Sequence, residues 1–138
     1  MELEEKLCQA HDVMCGRGEA CDFGCAPDSI ARAISITKVR YASRPYCVVT
    51  DWIWVDILAP QHHRDSLKQS GLEPCFIFAA NVLDDEARRP HIGPMVRTSL
   101  LQQFEENCLF VTANTVYVLS GYGKRTSVAP EVATSITF

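Results

Sequence analysis

The order of apolar patterns along the chain predicts an α+β fold, with N-terminal helices packed on an antiparallel β-sheet or partial barrel. Helical spacing dominates residues 1–43, whereas residues 44–138 are mainly rich in β-branched and aromatic side chains, with one short helix near 60–71. Helices followed by strands, without regular alternation, are typical of this class. The chain has 138 residues and lacks a long linker, so we expect residues 1–138 to form a single domain.

Two helices are predicted before residue 43. In the first, over residues 2–14, four apolar side chains recur at helical spacing and share one face: Leu3, Leu7, Ala10 and Met14. A loop rich in Gly, Cys and Asp follows over residues 16–26. The second helix begins at Pro27, a residue suited to the first helical position, and extends to about Val39.

The segment 46–58 is predicted to form strand structure because it is rich in β-branched and aromatic residues. Successive side chains of a strand point to opposite faces of its sheet. Ile53, Val55 and Ile57 therefore share one face, and Trp52, Trp54 and Asp56 share the other. This alternation brings two tryptophans and a carboxylate onto the same surface of the sheet.

Shorter elements are predicted in the remainder of the chain. Residues 60–71 fit a helix between Pro60 and Gly71, and the apolar run 75–82 fits a buried strand. The pattern then predicts a loop over 84–94, a strand over 95–101, a hairpin of 109–112 with 115–119, and a turn over 121–123. The tail, residues 128–138, is weakly apolar and is compatible with more than one type of structure.

Composition and charge exclude several classes of protein. The net charge is −4, and nucleic-acid binders are usually basic, so nucleic acid is disfavoured as a partner. No apolar run reaches the roughly 18 residues that a membrane span needs, so we expect no membrane segment. The N-terminus is acidic where a secretory signal requires basic residues, which predicts a cytoplasmic protein whose seven cysteines are reduced.

Four N-terminal cysteines, with His11 nearby, form the one candidate metal site: Cys8, Cys15, Cys21 and Cys25. Zinc needs four tetrahedral nitrogen or sulfur ligands, and strong zinc motifs contain two close cysteine pairs, of which this segment has at most one. We therefore predict no metal and no cofactor, and zinc remains the alternative. Cys47, Cys75 and Cys108 lie among apolar residues and are expected in the core.

Five short motifs in the second part of the chain resemble a family of small uncharacterised bacterial and prophage proteins, a domain of unknown function. They are Pro-Tyr-Cys-Val-Val at 45–49, Asp-Trp-Ile-Trp-Val-Asp at 51–56, Val-Arg-Thr-Ser at 96–99, Thr-Ala-Asn-Thr-Val-Tyr-Val-Leu at 112–119 and Gly-Tyr-Gly-Lys-Arg at 121–125. The resemblance covers roughly residues 27–128. It implies no catalytic residues, and the occurrence of relatives in mobile elements implies a role in conflict between phage and host.

Candidate binding residues come from these motifs. Exposed tryptophan is enriched at binding hot spots, and the turn at 121–125 carries an aromatic side chain and two cations. The predicted binding set is Trp52, Trp54, Asp56, Arg97, Tyr122, Lys124 and Arg125. Arg97 is expected to form a basic patch with Lys124 and Arg125 if its strand lies next to the segment that carries them. The alternative is that the N-terminal helices cover the tryptophan face and both tryptophans belong to the core.

The sequence contains no recognisable catalytic motif, so we predict no catalytic residues and a non-enzymatic protein-binding module. The small size, the acidic charge and the context of the resembling family favour an inhibitor from a phage or mobile element, of the anti-CRISPR type. Such a protein binds a host defence complex and blocks it sterically. Two alternatives stay open: a zinc- or thiol-dependent protein that uses the N-terminal cysteines, and an enzyme whose site residues converge only in the folded chain.

Overall fold

The computed structural model describes residues 2–90 and 94–136 and has the predicted α+β architecture. The helices within these residues are α1 (Leu3–Met14), α2 (Ile30–Arg40, after a 3-10 turn at Pro27–Ser29), α3 (Gln61–Gln69) and α4 (Pro130–Ser135). The strands are β1 (Glu19–Cys21), β2 (Tyr46–Ile57), β3 (Cys75–Asp85), β4 (Val96–Arg97), β5 (Gln103–Glu105), β6 (Leu109–Val111), β7 (Val116–Leu119) and β8 (Gly123–Val128).

The eight described strands form one sheet, which curls into a half-barrel around the long strand β2. Most neighbouring strands are antiparallel, as predicted, including β2 with β3 and β6 with β7. β2 is parallel, however, to β7 along its first half and to β8 along its second half. The sheet is therefore mixed, because the C-terminal strands return to the free edge of β2 in the direction of β2 itself.

Apolar side chains fill both faces of the curled sheet. The concave interior contains both tryptophans, and most of its buried side chains come from β2, β3 and β7. On the convex side, α2 covers β6, β7 and the first half of β2 with Ala33. α1 and α4 cover β3, β8 and the second half of β2 through Ala10, Val13, Val132 and Ala133. The sheet is thus buried on both faces, because helices cover its convex face and its own curling encloses the concave face.

Several elements differ from the sequence-based expectation. The strand predicted over 95–101 is shortened to Val96–Arg97. β1, β5 and β8 were not predicted, since each is short or polar and forms only because a neighbouring strand supplies its hydrogen-bond partners. The tail forms helix α4, whose N-terminal Pro130 fits the first helical turn. Residues 91–93 of the predicted loop 84–94 lie outside the described residues.

Helix α1 has the predicted bounds but buries a different face. Ala10 and Val13 pack against α4 and the sheet, whereas Leu3, Leu7 and Met14 are 65%, 57% and 43% exposed. Because Ala10 is small, α1 can pack closely against α4 and the sheet, and the larger side chains of Leu3 and Leu7 lie outside this contact, in solvent. The apolar stripe predicted from the sequence is therefore mostly a surface feature, and Cys8 beside it is exposed as well.

Candidate functional site

A break in the regular alternation of β2 creates the most distinctive surface of the molecule. Val49 and Trp52 both face the concave interior although they are three residues apart, so the alternation slips by one residue at Thr50–Asp51. Asp51 adopts a φ of 51°, a left-handed conformation that few non-glycine residues take. The break coincides with the point where β2 exchanges its parallel partner β7 for β8.

The Gly-Tyr-Gly motif at 121–123 bridges the two parallel partners at this break. The indole Nε1 of Trp52 donates to the carbonyl oxygens of Ser120 and Gly121, both at 3.3 Å. The indole ring lies directly on Gly123, so that any Cβ at this position would collide with it. Gly121 has a φ of 72°. The buried tryptophan therefore determines the path of the backbone here, and the side chain of Tyr122 between the glycines is 87% exposed.

A groove of about 350 Å³ follows the break. Its lining residues come from the end of α1, from β2, from β3 and from the start of β8: Met14, Cys15, Gly16, Asp51, Trp52, Phe78, Ala80, Tyr122, Gly123 and Lys124. The Asp51 carboxylate accepts a 2.6 Å hydrogen bond from the side-chain amide of Asn81. The groove thus combines an exposed aromatic ring, a flexible thioether, one cation and one oriented carboxylate, which are groups suited to binding another protein surface.

The predicted residues Trp52, Tyr122 and Lys124 line this groove, whereas Asp51 and Met14 were not among the predicted site residues. Asp51 stands inside a motif noted in the sequence, but nothing in a linear pattern indicates its left-handed backbone. Met14 was assigned to a helical stripe, and its position beside Tyr122 depends on how α1 docks. Sequence reasoning therefore found the groove residues that lie in and just after the Gly-Tyr-Gly segment, together with Trp52 on β2.

Three other predicted residues form a separate cluster on the concave side of the sheet. Arg125 contacts both carboxylate oxygens of Asp56, at 2.7 and 3.2 Å, and Trp54 Nε1 donates to the same carboxylate at 3.1 Å. The hydrogen bonds that Arg125 donates to the Asp56 carboxylate raise the pKa of Arg125. The guanidinium also lies over the rings of Trp54 and Phe23, at 5.2 and 5.9 Å. The cluster borders a cleft of about 600 Å³, but its charges are paired with each other.

Both tryptophans are core residues, which agrees with the second of the two alternatives drawn from the sequence. Trp52 is 2% exposed and Trp54 is 5% exposed. Trp54 packs edge-on against Phe104 and Phe110, with ring centroids 5.0 and 5.1 Å apart. The expectation that the N-terminal helices cover this face is wrong, because the buried residues that cluster with the two tryptophans include none from α1 or α2, both of which the structure describes in full. Phe23 and Phe104, from segments outside the helices, lie over Trp54.

Arg97 does not join Lys124 and Arg125 in a basic patch. Its strand β4 is separated from β8 by β3 and β2. One guanidinium nitrogen donates to the carbonyl oxygens of Ala133 and Ile136, each at 2.6 Å, at the end of α4. The Arg97 guanidinium stacks 4.2 Å from the ring centre of Phe76. Burial lowers the pKa of Arg97. Arg97 therefore holds α4 on the sheet.

The four N-terminal cysteines are distributed over three environments. Cys8 and Cys15 are exposed on α1 and at its end, where the Cys15 thiol lies 3.5 Å from His11 Nε2. Cys21 is buried in the concave core. Cys25 is partly buried and packs against the core cluster that contains Cys108, and burial raises the pKa of both thiols. Within residues 2–90 and 94–136, no three His, Cys, Asp or Glu side chains are grouped so that they could hold a metal ion.

Comparisons with known proteins identify the family of the chain. A family model described as Domain of unknown function (DUF6957) matches residues 22–135, which include every strand from β2 to β8 and the whole of the groove except its α1 side. Neither the curated proteins nor the solved structures yield a match. No helix in the described part of the chain is long and apolar enough to cross a membrane. The predicted membership in a family of unknown function is thus confirmed: the chain belongs to the DUF6957 family.

Proposed function

We propose that this protein is a non-enzymatic module that binds a protein partner at the groove, with Tyr122 as the central contact. One observation carries the proposal: the Tyr122 side chain is 87% exposed, although buried Trp52 and two glycines determine the backbone on both sides of it. A tyrosine presented in this way loses little backbone entropy when it binds. Tyrosine is among the residues most enriched at interface hot spots.

The remaining groove side chains supply the polar and adaptable contacts of such an interface. Lys124 offers an exposed cation, and Asp51 offers a carboxylate that Asn81 already orients. Met14 is 43% exposed and belongs to the side chains that repack most readily against a partner. A central aromatic contact with charged groups at its rim is the usual anatomy of a protein–protein interface.

We further infer that the partner is a host defence complex and that the protein inhibits it sterically in the cytoplasm, as an anti-CRISPR protein does. The support for this role comes from the sequence. It consists of the resemblance to prophage proteins, the size of a single small domain and the absence of a recognisable catalytic motif in the sequence. The net charge of −4 disfavours nucleic acid as the bound partner.

The proposal is tested by affinity capture from a nuclease-treated host lysate with three forms of the tagged protein. They are the wild type, Tyr122→Ala, and Val39→Ala as a matched control, because Val39 is 83% exposed on α2, away from the groove. We expect the wild type and the control to retain one stoichiometric partner, identified by mass spectrometry, and Tyr122→Ala to lose it. Equal retention by all three forms contradicts the site, and a lysate without any stoichiometric partner contradicts the function.

The inhibitor role has its own measurement. A plasmid carrying a targeted sequence is introduced into cells with an active CRISPR system, with and without the protein. We expect the wild type to restore the number of transformants and Tyr122→Ala to fail to do so. A wild-type protein that binds its partner yet restores no transformants with any tested defence system leaves the binding module in place and removes the anti-CRISPR role.

A further inference from the structure

The connection between β2 and β3 is far longer than their geometry requires. The two strands are adjacent and antiparallel, and such strands are commonly joined by turns of two to five residues. Here residues 58–74 leave the sheet, form helix α3 and return. In α3, which the structure describes in full, no side chain is buried, and Leu67 is the one that is partly covered. Apart from Ala59, which is buried before the helix begins, the hydrophobic core therefore does not account for this segment, and the polar side chains of α3 are available for another role.

Two cations project from one side of α3 into a cleft. Arg64 and Lys68 are one helical turn apart and line a space of about 480 Å³ between α3 and the ends of β2 and β3. Arg64 Nε donates to the Ala59 carbonyl oxygen at 2.9 Å, which holds the side chain in place. In the described part of the chain neither cation forms an ion pair.

The rest of the cleft is apolar or already paired. Leu58, which is 57% exposed, and Leu72 provide its apolar wall. The Asp56 carboxylate at its margin is bound by Arg125 and Trp54, so Glu73 is the acidic group that remains to oppose Arg64 and Lys68. With the Asp56–Arg125 ion pair counted as neutral, two cations face one carboxylate, so the cleft has a net charge of +1 on a chain whose net charge is −4.

We propose that this cleft is a second binding surface, which takes an acidic peptide segment of a partner protein with an apolar side chain next to its carboxylates. Arginine binds carboxylates with good geometry, and Lys68 adds a second positive charge one turn away. An inorganic anion would leave the two leucines exposed, whereas a leucine-containing acidic segment covers them. The surface is independent of the groove, since about six strand residues, or roughly 20 Å, separate Asp51 from the end of β2.

The test uses the full chain and a fluorescein-labelled peptide of glutamate and leucine residues, followed by fluorescence anisotropy at low salt. A peptide with lysine in place of glutamate and a single-stranded DNA serve as the other probes. The decisive variant is Arg64→Glu/Lys68→Glu. Its matched control is Arg32→Glu/Lys38→Glu, which makes the same change in net charge at exposed positions on α2.

We expect saturable binding of the acidic peptide that weakens about tenfold or more in the α3 variant and that changes little in the α2 variant. Amide shifts in a ¹⁵N spectrum should then be confined to residues 56–74. No saturable binding, equal loss in both variants, shifts elsewhere, or stronger binding of the DNA or of the basic peptide would each overturn the proposal. Should the α3 variant unfold, Lys68→Gln, which changes one exposed side chain, gives the same comparison with a smaller loss. Tyr122→Ala should bind the peptide normally, so this surface and the groove are judged separately.

Discussion

The concave interior of the sheet and the peripheral helices α1 and α3 use their side chains in opposite ways. In the interior, Trp52 and Trp54 are almost fully buried and hydrogen-bonded. The Trp52 ring also requires a glycine at position 123, because it leaves no space there for a Cβ. On α1 and α3, by contrast, leucines and cations remain at the surface. The groove lies where these two regions meet, because Tyr122 is positioned by the interior and Met14 is supplied by α1. The comparison teaches that the interior builds the site, and the periphery provides its adaptable contacts.

The largest expected difference between the two regions is in thiol reactivity. Burial raises the pKa of Cys47 and of Cys75 to about 12, whereas Cys8 and Cys15 on the α1 side are exposed. Because the thiolate is the reactive form, we expect the buried pair to react with a thiol reagent at pH 8 at least about a thousandfold more slowly. Time-resolved labelling with peptide mass mapping measures the rates. Comparable rates for all four thiols would show that the interior opens readily.

Removing a core ring should cost much more stability than removing a peripheral leucine. Trp52→Ala deletes a 2% exposed side chain and two hydrogen bonds, so we expect the free energy of unfolding to fall by about 3–5 kcal/mol. Leu7→Ala, at a position 57% exposed, should change it by less than about 0.5 kcal/mol. Urea denaturation monitored by circular dichroism gives both values. A similar loss in the two variants would remove the distinction between the regions.

A single methyl group should disturb the junction between the regions. Gly123→Ala places a Cβ against the Trp52 indole, and we expect a loss of about 1–3 kcal/mol through overpacking. The control is Gly16→Ala, which adds the same methyl group where it meets no atom, so that its cost comes from the φ of 70° alone. Thermal unfolding compares the two variants. If Gly123→Ala is the more stable of them, the indole does not determine the path of the Gly-Tyr-Gly segment.

The smallest effect on stability is expected in α3. Lys68→Ala removes an exposed side chain without an ion pair in the described part of the chain, so we expect a change within about 0.5 kcal/mol. Native-state hydrogen exchange should likewise find α3 among the least protected helices, since none of its side chains is buried. Protection of α3 at the level of β2 would mean that this helix is part of the cooperative core.

The strands with continuous or alternating apolar patterns were predictable from the sequence. β2, β3 and the hairpin of β6 with β7 lie where their side-chain patterns place them, within a few residues. The division of β2 into an aliphatic face and a tryptophan face was also correct, since Ile53 and Val55 lie in one core and both tryptophans in the other. These features follow from local periodicity, which needs no knowledge of the neighbouring strands.

The polar elements and the site geometry were not predictable in the same way. β8 is mostly exposed and polar, and it forms a strand because the backbone of the second half of β2 supplies its hydrogen-bond partners. Arg97 looks like a surface cation in the sequence, and it is instead bound to the end of α4. The left-handed Asp51 has no local signal, since it arises where two parallel neighbours of β2 succeed each other.

By itself, the amino-acid sequence determined the α+β class, the long central strand with its two faces, and the family. The tertiary structure decided which apolar side chains are buried, which cations remain unpaired and where the groove lies. The physical reason is that periodicity encodes which side chains share a face, whereas burial and charge pairing depend on the element that packs against that face. Leu7 belongs to a regular helical pattern and Trp54 to a regular strand pattern, yet Leu7 lies at the surface and Trp54 lies in the core.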